Sequence, residues 1–395
     1  MKNIKYSIII PTFNHVQDCL IPAIESIVKY TDLTQVEIIV IANGCTDGTE
    51  DYLKSLDSIV FKYFIYPETL GYTKATNIGI TKAIGEYVIL FNNDALLLDQ
   101  PVNMWIDMLY KPFQEHDLVG ITGPLKLHDV YVNNPVVIFF CAMIPRNLFF
   151  KFGLLDEVFS PGGCEDIDFT MKVLNGGYKC FQVPSDNKIE FTGTNSSIFP
   201  IWHQNNKTFG EIPEYGKTII KKNGFVVLKR HNKSIKLNIG CGYLRLQSYG
   251  FIGIDDKVAD ADLVGDFLDF DFDSNSVEEI YCGHFINQLT LEKAKLVIKR
   301  FHDILKPGGL VALEQPNMEE ISKEYINSTS ERRFELFNYL IEPMSFGDKI
   351  YTAQSAWDPI TLKEELVLAG FSNIIIGSEV IPRSAPNFRI QANKL

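Results

Sequence analysis

At 395 residues, with 46% hydrophobic and 22% charged side chains, the chain has the make-up of an ordinary globular protein and the length of about two to three domains. A net charge of −12 excludes a protein that works by neutralising phosphate backbones, so nucleic acid is not an expected partner. Seven cysteines without a spaced framework read as reduced thiols of a cytoplasmic protein rather than as disulfides.

The first elements alternate. Short β-branched runs at Ser7–Ile10, Glu37–Ile41, Tyr87–Leu90 and Leu118–Ile121 are separated by stretches of helical period. That pattern predicts an α/β domain with a mainly parallel sheet wrapped by helices, whose ligands bind beyond the carboxyl ends of the strands. The chain enters the first strand directly after Met1–Lys5, with no apolar signal region. Its longest apolar run, Pro135 to Ile144, falls short of the ~20 residues of a membrane span.

Each expected strand ends in polar punctuation. Pro11-Thr12-Phe13-Asn14 closes the first and Ala42-Asn43-Gly44-Cys45-Thr46-Asp47-Gly48-Thr49 the second, where Thr46 or Asp47 is placed to cap a helix beginning near Glu50. Asn92-Asn93-Asp94 follows the third. Further on, Gly162-Gly163-Cys164-Glu165-Asp166-Ile167-Asp168 places three carboxylates in four positions behind a glycine pair. Clustered acids are costly unless a cation or a reaction uses them.

Two kinds of chemistry suit these acids. A divalent ion on oxygen ligands neutralises charge that grows on a departing nucleoside diphosphate, and Asp94 is of the right type for it, although a turn aspartate reads the same way. An attacking hydroxyl needs a base, for which Glu165, Asp166 and Asp168 are candidates. Acids that complement a helix dipole are the alternative, and that alternative suits Asp168 best.

A basic stretch over residues 216–235 reads as a connector. A second strand–turn–helix cycle then starts at Ile235–Ile239 and Gly240-Cys241-Gly242, and continues through a helix at Leu291–Leu305, a turn at Lys306-Pro307-Gly308-Gly309 and a strand at Leu310–Leu313. Absent side chains let a glycine turn bring backbone N–H groups close to a ligand. Thirteen residues after Gly242, Asp255 ends a strand and is placed to accept hydrogen bonds from ribose hydroxyls. The longer G-x-G-x-x-G of nicotinamide-binding folds is absent.

Over residues 6–210 five motifs resemble, in order, those of family 2 glycosyltransferases with the GT-A fold: Ser7–Asn14, Asn43–Thr49, Gly71–Gly79, Asn92–Asp94 and Glu165–Asp168. The resemblance implies an inverting transferase that uses a UDP- or dTDP-sugar to extend a glycan or glycoconjugate acceptor with the help of Mn2+ or Mg2+. It places Pro11, Thr12, Asn14, Asn43, Lys74, Asn77 and Asn93 on the donor, Asp94 and His203 on the metal, and Asp166, with Glu165 beside it, as the catalytic base. Residues 144–159 are most like the rhamnosyltransferase branch. The chain departs from the family in three places: Ala42-Asn43 replaces an acidic pair, Thr76 replaces a basic residue, and the metal motif has one carboxylate.

Residues 235–395 resemble small class I methyltransferases dependent on S-adenosylmethionine, a Rossmann-like fold, with Gly240, Gly242, Asp255 and Asp266 at the cofactor. Where relatives often carry a Glu-His pair, this chain reads His284-Phe285-Ile286-Asn287-Gln288. Amides cannot act as bases. The implied organisation is a glycosyltransferase domain over 1–225 and a methyltransferase-like domain over 235–395 that O-methylates the glycan. A second glycosyl transfer, or a noncatalytic acceptor-binding module on the same fold, is the other reading of the C-terminal half. For the whole chain, a glycan-binding protein built on decayed enzyme folds is the rival.

Overall fold

The computed structural model describes residues 4–56, 60–184, 188–190, 193–196, 198–204, 218–244, 246–258, 261–341, 344–346, 349–351, 353–379 and 384–395. The chain forms two compact units, Met1–Val227 and Leu228–Leu395. The division falls inside a helix, because the basic stretch expected as a connector is helical over Ile220–His231. Among the described residues no helix is long and apolar enough to cross a membrane.

The first unit runs β1 (Tyr6–Thr12), α1 (Ile21–Lys29), β2 (Val36–Asn43), α2 (Thr49–Ser55), β3 (Phe61–Tyr66), α3 (Tyr72–Lys82), β4 (Tyr87–Phe91), β5 (Ala95–Leu97), α4 (Met104–Glu115), β6 (Val119–Gly123), β7 (Lys126–Asp129), β8 (Asn134–Val137), β9 (Cys141–Pro145), α5 (Arg146–Phe152), α6 (Glu165–Asn175), β10 (Lys179–Gln182), β11 (Lys188–Glu190), β12 (Gly193–Ser196) and β13 (Ile201–His203). A seven-stranded sheet has the order β10-β6-β9-β4-β1-β2-β3. Within it β4, β1, β2 and β3 are mutually parallel, as are β6 and β10, while β9 runs antiparallel to both its neighbours. A small antiparallel sheet, β11-β12-β13-β5, stands beside it.

Strands β1 and β2 are buried along their whole length and are mostly apolar because both faces of the sheet are covered, and the buried Ser7 hydroxyl donates to Glu37 of the neighbouring strand. Successive residues face opposite ways. Ile8, Ile10, Ile38 and Val40 therefore join Trp105 and Leu109 in one core, whereas Ile9, Ile39 and Ile41 join Ala75, Ile80, Phe149 and Phe169 in the other. Since β1, β2 and β4 are parallel, their polar ends Thr12, Asn43 and Asn92–Asp94 emerge on one edge. Strand β1 runs two residues further than expected, through Pro11 and Thr12. Asp47 supports α2 from just before its start, accepting from Thr49 N at 3.1 Å with one oxygen and from Val16 N at 2.9 Å with the other.

The second unit begins within α7 (Ile220–His231) and continues as β14 (Ile235–Ile239), β15 (Phe251–Asp255), β16 (Leu263–Val264), β17 (Val277–Gly283), α8 (Leu291–Ile304), β18 (Leu305–Pro316), α9 (Met318–Asn327), α10 (Ser330–Ile341), β19 (Met344–Phe346), β20 (Lys349–Tyr351), α11 (Pro359–Ala369), β21 (Phe371–Gly377) and β22 (Asn387–Lys394). Its mixed sheet has the order β16-β15-β14-β17-β18-β22-β21, parallel from β16 to β18, with β22 antiparallel to both neighbours. The turn expected at Lys306–Gly309 lies within β18, where the pairing with β17 shifts register. Local chemistry sets the ends of α11. Asp358 and Thr361 form a capping box, Pro359 takes the first turn, and Gly370 closes the helix at φ 103°.

One glycine of the first unit is fixed by its surroundings. Gly71 sits at φ 78°, ψ 167°, and a Cβ there would lie 2.7 Å from both Cα and O of Pro161. That backbone region is essentially reserved for glycine. Gly71→Ala is expected to destabilise the first unit by ~1–3 kcal/mol, read as a lower denaturant midpoint of the full chain with an unchanged slope.

Candidate active site

The polar edge of the first unit encloses a cavity of about 610 Å3. Of the expected residues, Pro11, Thr12, Asn43, Asn93, Asp94, Glu165, Asp166 and His203 all line it. Asn14, Lys74 and Asn77 do not. Asn14 accepts from Thr46 N at 2.7 Å, Lys74 is exposed on α3, and Asn77 is spent on the backbone of Leu155, donating to its carbonyl at 2.8 Å and accepting from its N–H at 3.0 Å.

Asn43 has an architectural task. Its amide donates to the Thr12 carbonyl at 2.8 Å, and its oxygen accepts from Leu70 N at 3.1 Å and Gly71 N at 3.2 Å. That oxygen already accepts two backbone N–H groups, which uses the acceptor that Asn43 would offer to a donor. The side chain instead ties the ends of β1 and β2 to the loop before α3. Asn93 donates to Thr12 Oγ1 at 3.0 Å and joins the same network.

The pairing of β13 with β5 sets His203 opposite Ala95, and the Gln204 N–H donates to the Asp94 carbonyl at 3.1 Å. His203 Nε2 consequently lies 3.0 Å from Asp94 Oδ1, with both side chains buried and the imidazole stacked on Phe140 at 4.6 Å. Asn92 Nδ2 approaches the same nitrogen at 3.3 Å, and Asn92 Oδ1 accepts no hydrogen bond among the described residues. Two cis ligands about 2.1 Å from an octahedral ion stand about 3.0 Å apart. The spacing, one imidazole and one carboxylate therefore fit Mn2+ or Mg2+.

Across the cavity, Gly162, Gly163 and Cys164 all have positive φ and turn the chain into α6. The three acids of this helix separate by environment. Asp168 is buried and paired with Lys172 Nζ at 2.6 Å, one turn along, whereas Glu165 and Asp166 face the cavity. Burial, reinforced by the neighbouring Asp166 charge, pushes Glu165 up to about 8. Burial, with a contribution from Asp129, pushes Asp166 up to about 6. One oxygen of Glu165 accepts no hydrogen bond among the described residues. Glu165 is thus the member of the pair that keeps its proton to higher pH.

Tyr72 and Asp129 also line the cavity and are not distinguished in the sequence as site residues. Tyr72 lies inside a quoted motif, and its N–H donates to the Pro161 carbonyl at 2.5 Å. Asp129 carries no sequence signal, because its carboxylate accepts from Tyr131 N and Val132 N as an ordinary turn aspartate does.

The second unit has a cavity of about 250 Å3 at the ends of β14 and β15, lined by Gly240, Asp255, Asp256, Asp266, Phe285, Lys293 and neighbours. Gly240 stands at φ 63°, and a Cβ there would come within 2.5 Å of the Phe285 ring. Asp255 accepts backbone N–H groups of Gly242 at 3.0 Å, Lys257 at 2.9 Å and Val258 at 3.0 Å. It thus closes the glycine turn, and Gly242 takes part through that bond. Asp266 caps Leu268 and pairs with Lys293, which holds its carboxyl below the usual range despite partial burial.

Residues 7–151 match the family model of glycosyl transferase family 2. The first unit therefore carries a family 2 glycosyltransferase domain, and the match ends before Glu165, Asp166 and His203. The fold is also similar to three solved structures. They are the mannosyltransferase PcManGT from Pyrobaculum calidifontis with GDP-Man and Mn2+ (19% identity, TM-score 0.38, 46% of this chain and 55% of that one), GalNAc-T7 with UDP, GalNAc and Mn2+ (19%, 0.39, 45% and 42%), and residues 1–349 of S. aureus TarS with UDP-GlcNAc (18%, 0.34, 43% and 53%). The chain covers less than two thirds of each. A search of curated proteins finds no match to the chain.

The buried acids give the first unit a signed pH response. Glu165 keeps its proton when folded over a range, from the ordinary 4.5 up to about 8, in which the unfolded chain has released it. Stability therefore falls as pH rises through that window. Glu165→Gln should flatten the slope, as measured by denaturant midpoints at several pH values.

Proposed function

We propose that the first unit is an inverting glycosyltransferase that uses a UDP- or dTDP-sugar and a hydroxyl of a glycan or glycoconjugate, with rhamnose as the candidate sugar. The observation that carries this is that Asp94, His203, Glu165 and Asp166 line one cavity, on a unit with a family 2 domain. Asp94 and His203 would hold Mn2+ or Mg2+. The ion supplies charge neutralisation at the departing nucleoside diphosphate. Asp166 takes the proton of the acceptor hydroxyl, and Glu165, protonated near neutral pH, donates a hydrogen bond within the site. Attack opposite the leaving group inverts the anomeric centre. The loop tied by Asn43 and Asn93 shapes the donor side, and Phe13, Tyr72, Phe139 and Phe140 add apolar walls.

Loss of the metal ligands and loss of the base should separate. Asp94→Ala is expected to weaken Mn2+ and nucleotide binding together in calorimetry, and His203→Ala to do so less. Asp166→Asn should leave both bindings near wild type while turnover falls by ~100-fold or more. In the wild type, turnover should drop as pH falls through about 6, where Asp166 gains its proton. Unchanged metal dependence in the first two variants, or turnover within tenfold in the third, contradicts the assignment.

The second unit is proposed to bind S-adenosylmethionine and O-methylate the glycan. Support comes from its parallel strand order and from the position of the cavity. The order places a switch point between β14 and β17, and the cavity lies at the carboxyl end of β14. Asp255 retains acceptor capacity toward ribose hydroxyls beyond its three backbone bonds. Asp255→Asn in the full chain should weaken calorimetric binding of S-adenosylmethionine by ~1–3 kcal/mol. Binding without methyl transfer would favour a repurposed domain, and no binding at millimolar concentration contradicts the cofactor reading and favours a second glycosyl transfer or an acceptor-binding module.

A further inference from the structure

The segment that presents Glu165 and Asp166 lacks the usual local support for a helix start. Cys164, the N-cap residue of α6, makes no side-chain capping bond, and Gly162, Gly163 and Cys164 stand in succession at φ 159°, 96° and 73°. Glycines that adopt such angles readily also leave them readily. Something outside the loop must hold it.

On one side the loop leans on the segment before α3. Tyr72 N–H reaches the Pro161 carbonyl, and Ser160 Oγ approaches the Leu70 carbonyl at 3.4 Å. On the other side lies the first turn of α7, within the same unit. There the Asn223 side chain, only 3% exposed, donates from Nδ2 to the carbonyls of Gly163 at 2.9 Å, Phe159 at 3.1 Å and Gly162 at 3.3 Å. One amide thus gathers three carbonyls from the five residues leading to Cys164. Val227, on the same helix, packs with Phe159, Cys164 and Ile167 in a small core that seats the helix against the loop.

We infer that Asn223 is a positioning residue for the acidic pair, and that its amide fixes the 159–164 turn which aims Glu165 and Asp166 into the cavity. It lines no part of the cavity and touches neither acid, so its effect passes through the backbone. Donor binding depends on the opposite wall, and turnover depends on where the acids point. Small misplacements of a catalytic group cost turnover rather than binding. The kinetic part of this inference rests on the glycosyl-transfer reading, whereas the structural part does not.

The test uses the full chain carrying Asn223→Leu, which keeps the side-chain volume and removes both N–H donors, and Asn223→Ser, a milder change that leaves at most one donor. Two quantities are read: kcat against donor dissociation constant, and hydrogen–deuterium exchange of amides 160–168. For Asn223→Leu the expected result is a donor constant within about twofold of wild type, a kcat lower by about 10- to 100-fold, and faster exchange confined to that stretch. Asn223→Ser should move both readouts the same way by less, and it decides the matter alone if the leucine variant does not fold. Wild-type exchange over 160–168, or an unchanged kcat, in a folded variant overturns the inference. If wild-type protein turns over no nucleotide sugar, the functional reading fails, and the exchange comparison still decides whether Asn223 holds the turn.

Discussion

Placing a buried carboxyl beside a half-buried one is unfavourable, and the first unit does so at Glu165 and Asp166. Glu165 and Asp166 sit at the head of α6, where the helix dipole offsets part of the cost, yet both remain raised toward neutral pH by burial. A fold relieves such strain by ion pairing wherever no task opposes it, as Lys172 does for Asp168. No lysine does this for the cavity-facing pair among the described lining residues. The unpaired charge at these two positions suits the proposed proton acceptor, because a raised carboxyl can take up a proton near neutral pH.

The opposite wall follows from sheet topology. Parallel β1, β2 and β4 send their polar ends to one edge, and the short β5–β13 pairing carries His203 back to Asp94. Backbone pairing, rather than the side chains alone, therefore sets the 3.0 Å between imidazole and carboxylate. The same economy recurs in the second unit, where Asp255 organises the glycine turn that it borders. In both units the groups nearest the cavity also hold the loops that form it.

Much of this was legible in the chain. The isoleucine runs Ile8–Ile10 and Ile38–Ile41 give buried strands because consecutive apolar residues face opposite ways and are favourable only when both faces are covered. The acids at 94, 165 and 166 and His203 were legible as motifs, and the structure gathers them around one cavity. The asparagines were not. An amide serves a ligand and a backbone equally well, so nothing in the sequence separates Asn93, which lines the cavity, from Asn77, which is consumed by Leu155. Asn223 was invisible for the opposite reason, as a single polar residue in a basic stretch whose importance arises only when a helix brings it to three distant carbonyls. The Lys306–Gly309 turn survives as an irregularity inside β18: the pairing with β17 passes from Val277–Leu305 to Glu279–Leu310, and Gly308 stands at φ 80°.

In the proposed reaction, metal-assisted departure and base-assisted attack share one cavity in the first unit. The most direct measurement is release of nucleoside diphosphate from a panel of UDP- and dTDP-sugars by the full chain, with Mn2+, with Mg2+ and after chelation. The account predicts release from at least one sugar nucleotide that requires the ion and stops on chelation. Release that persists undiminished in chelator, or no release from any member of the panel with either ion, contradicts it.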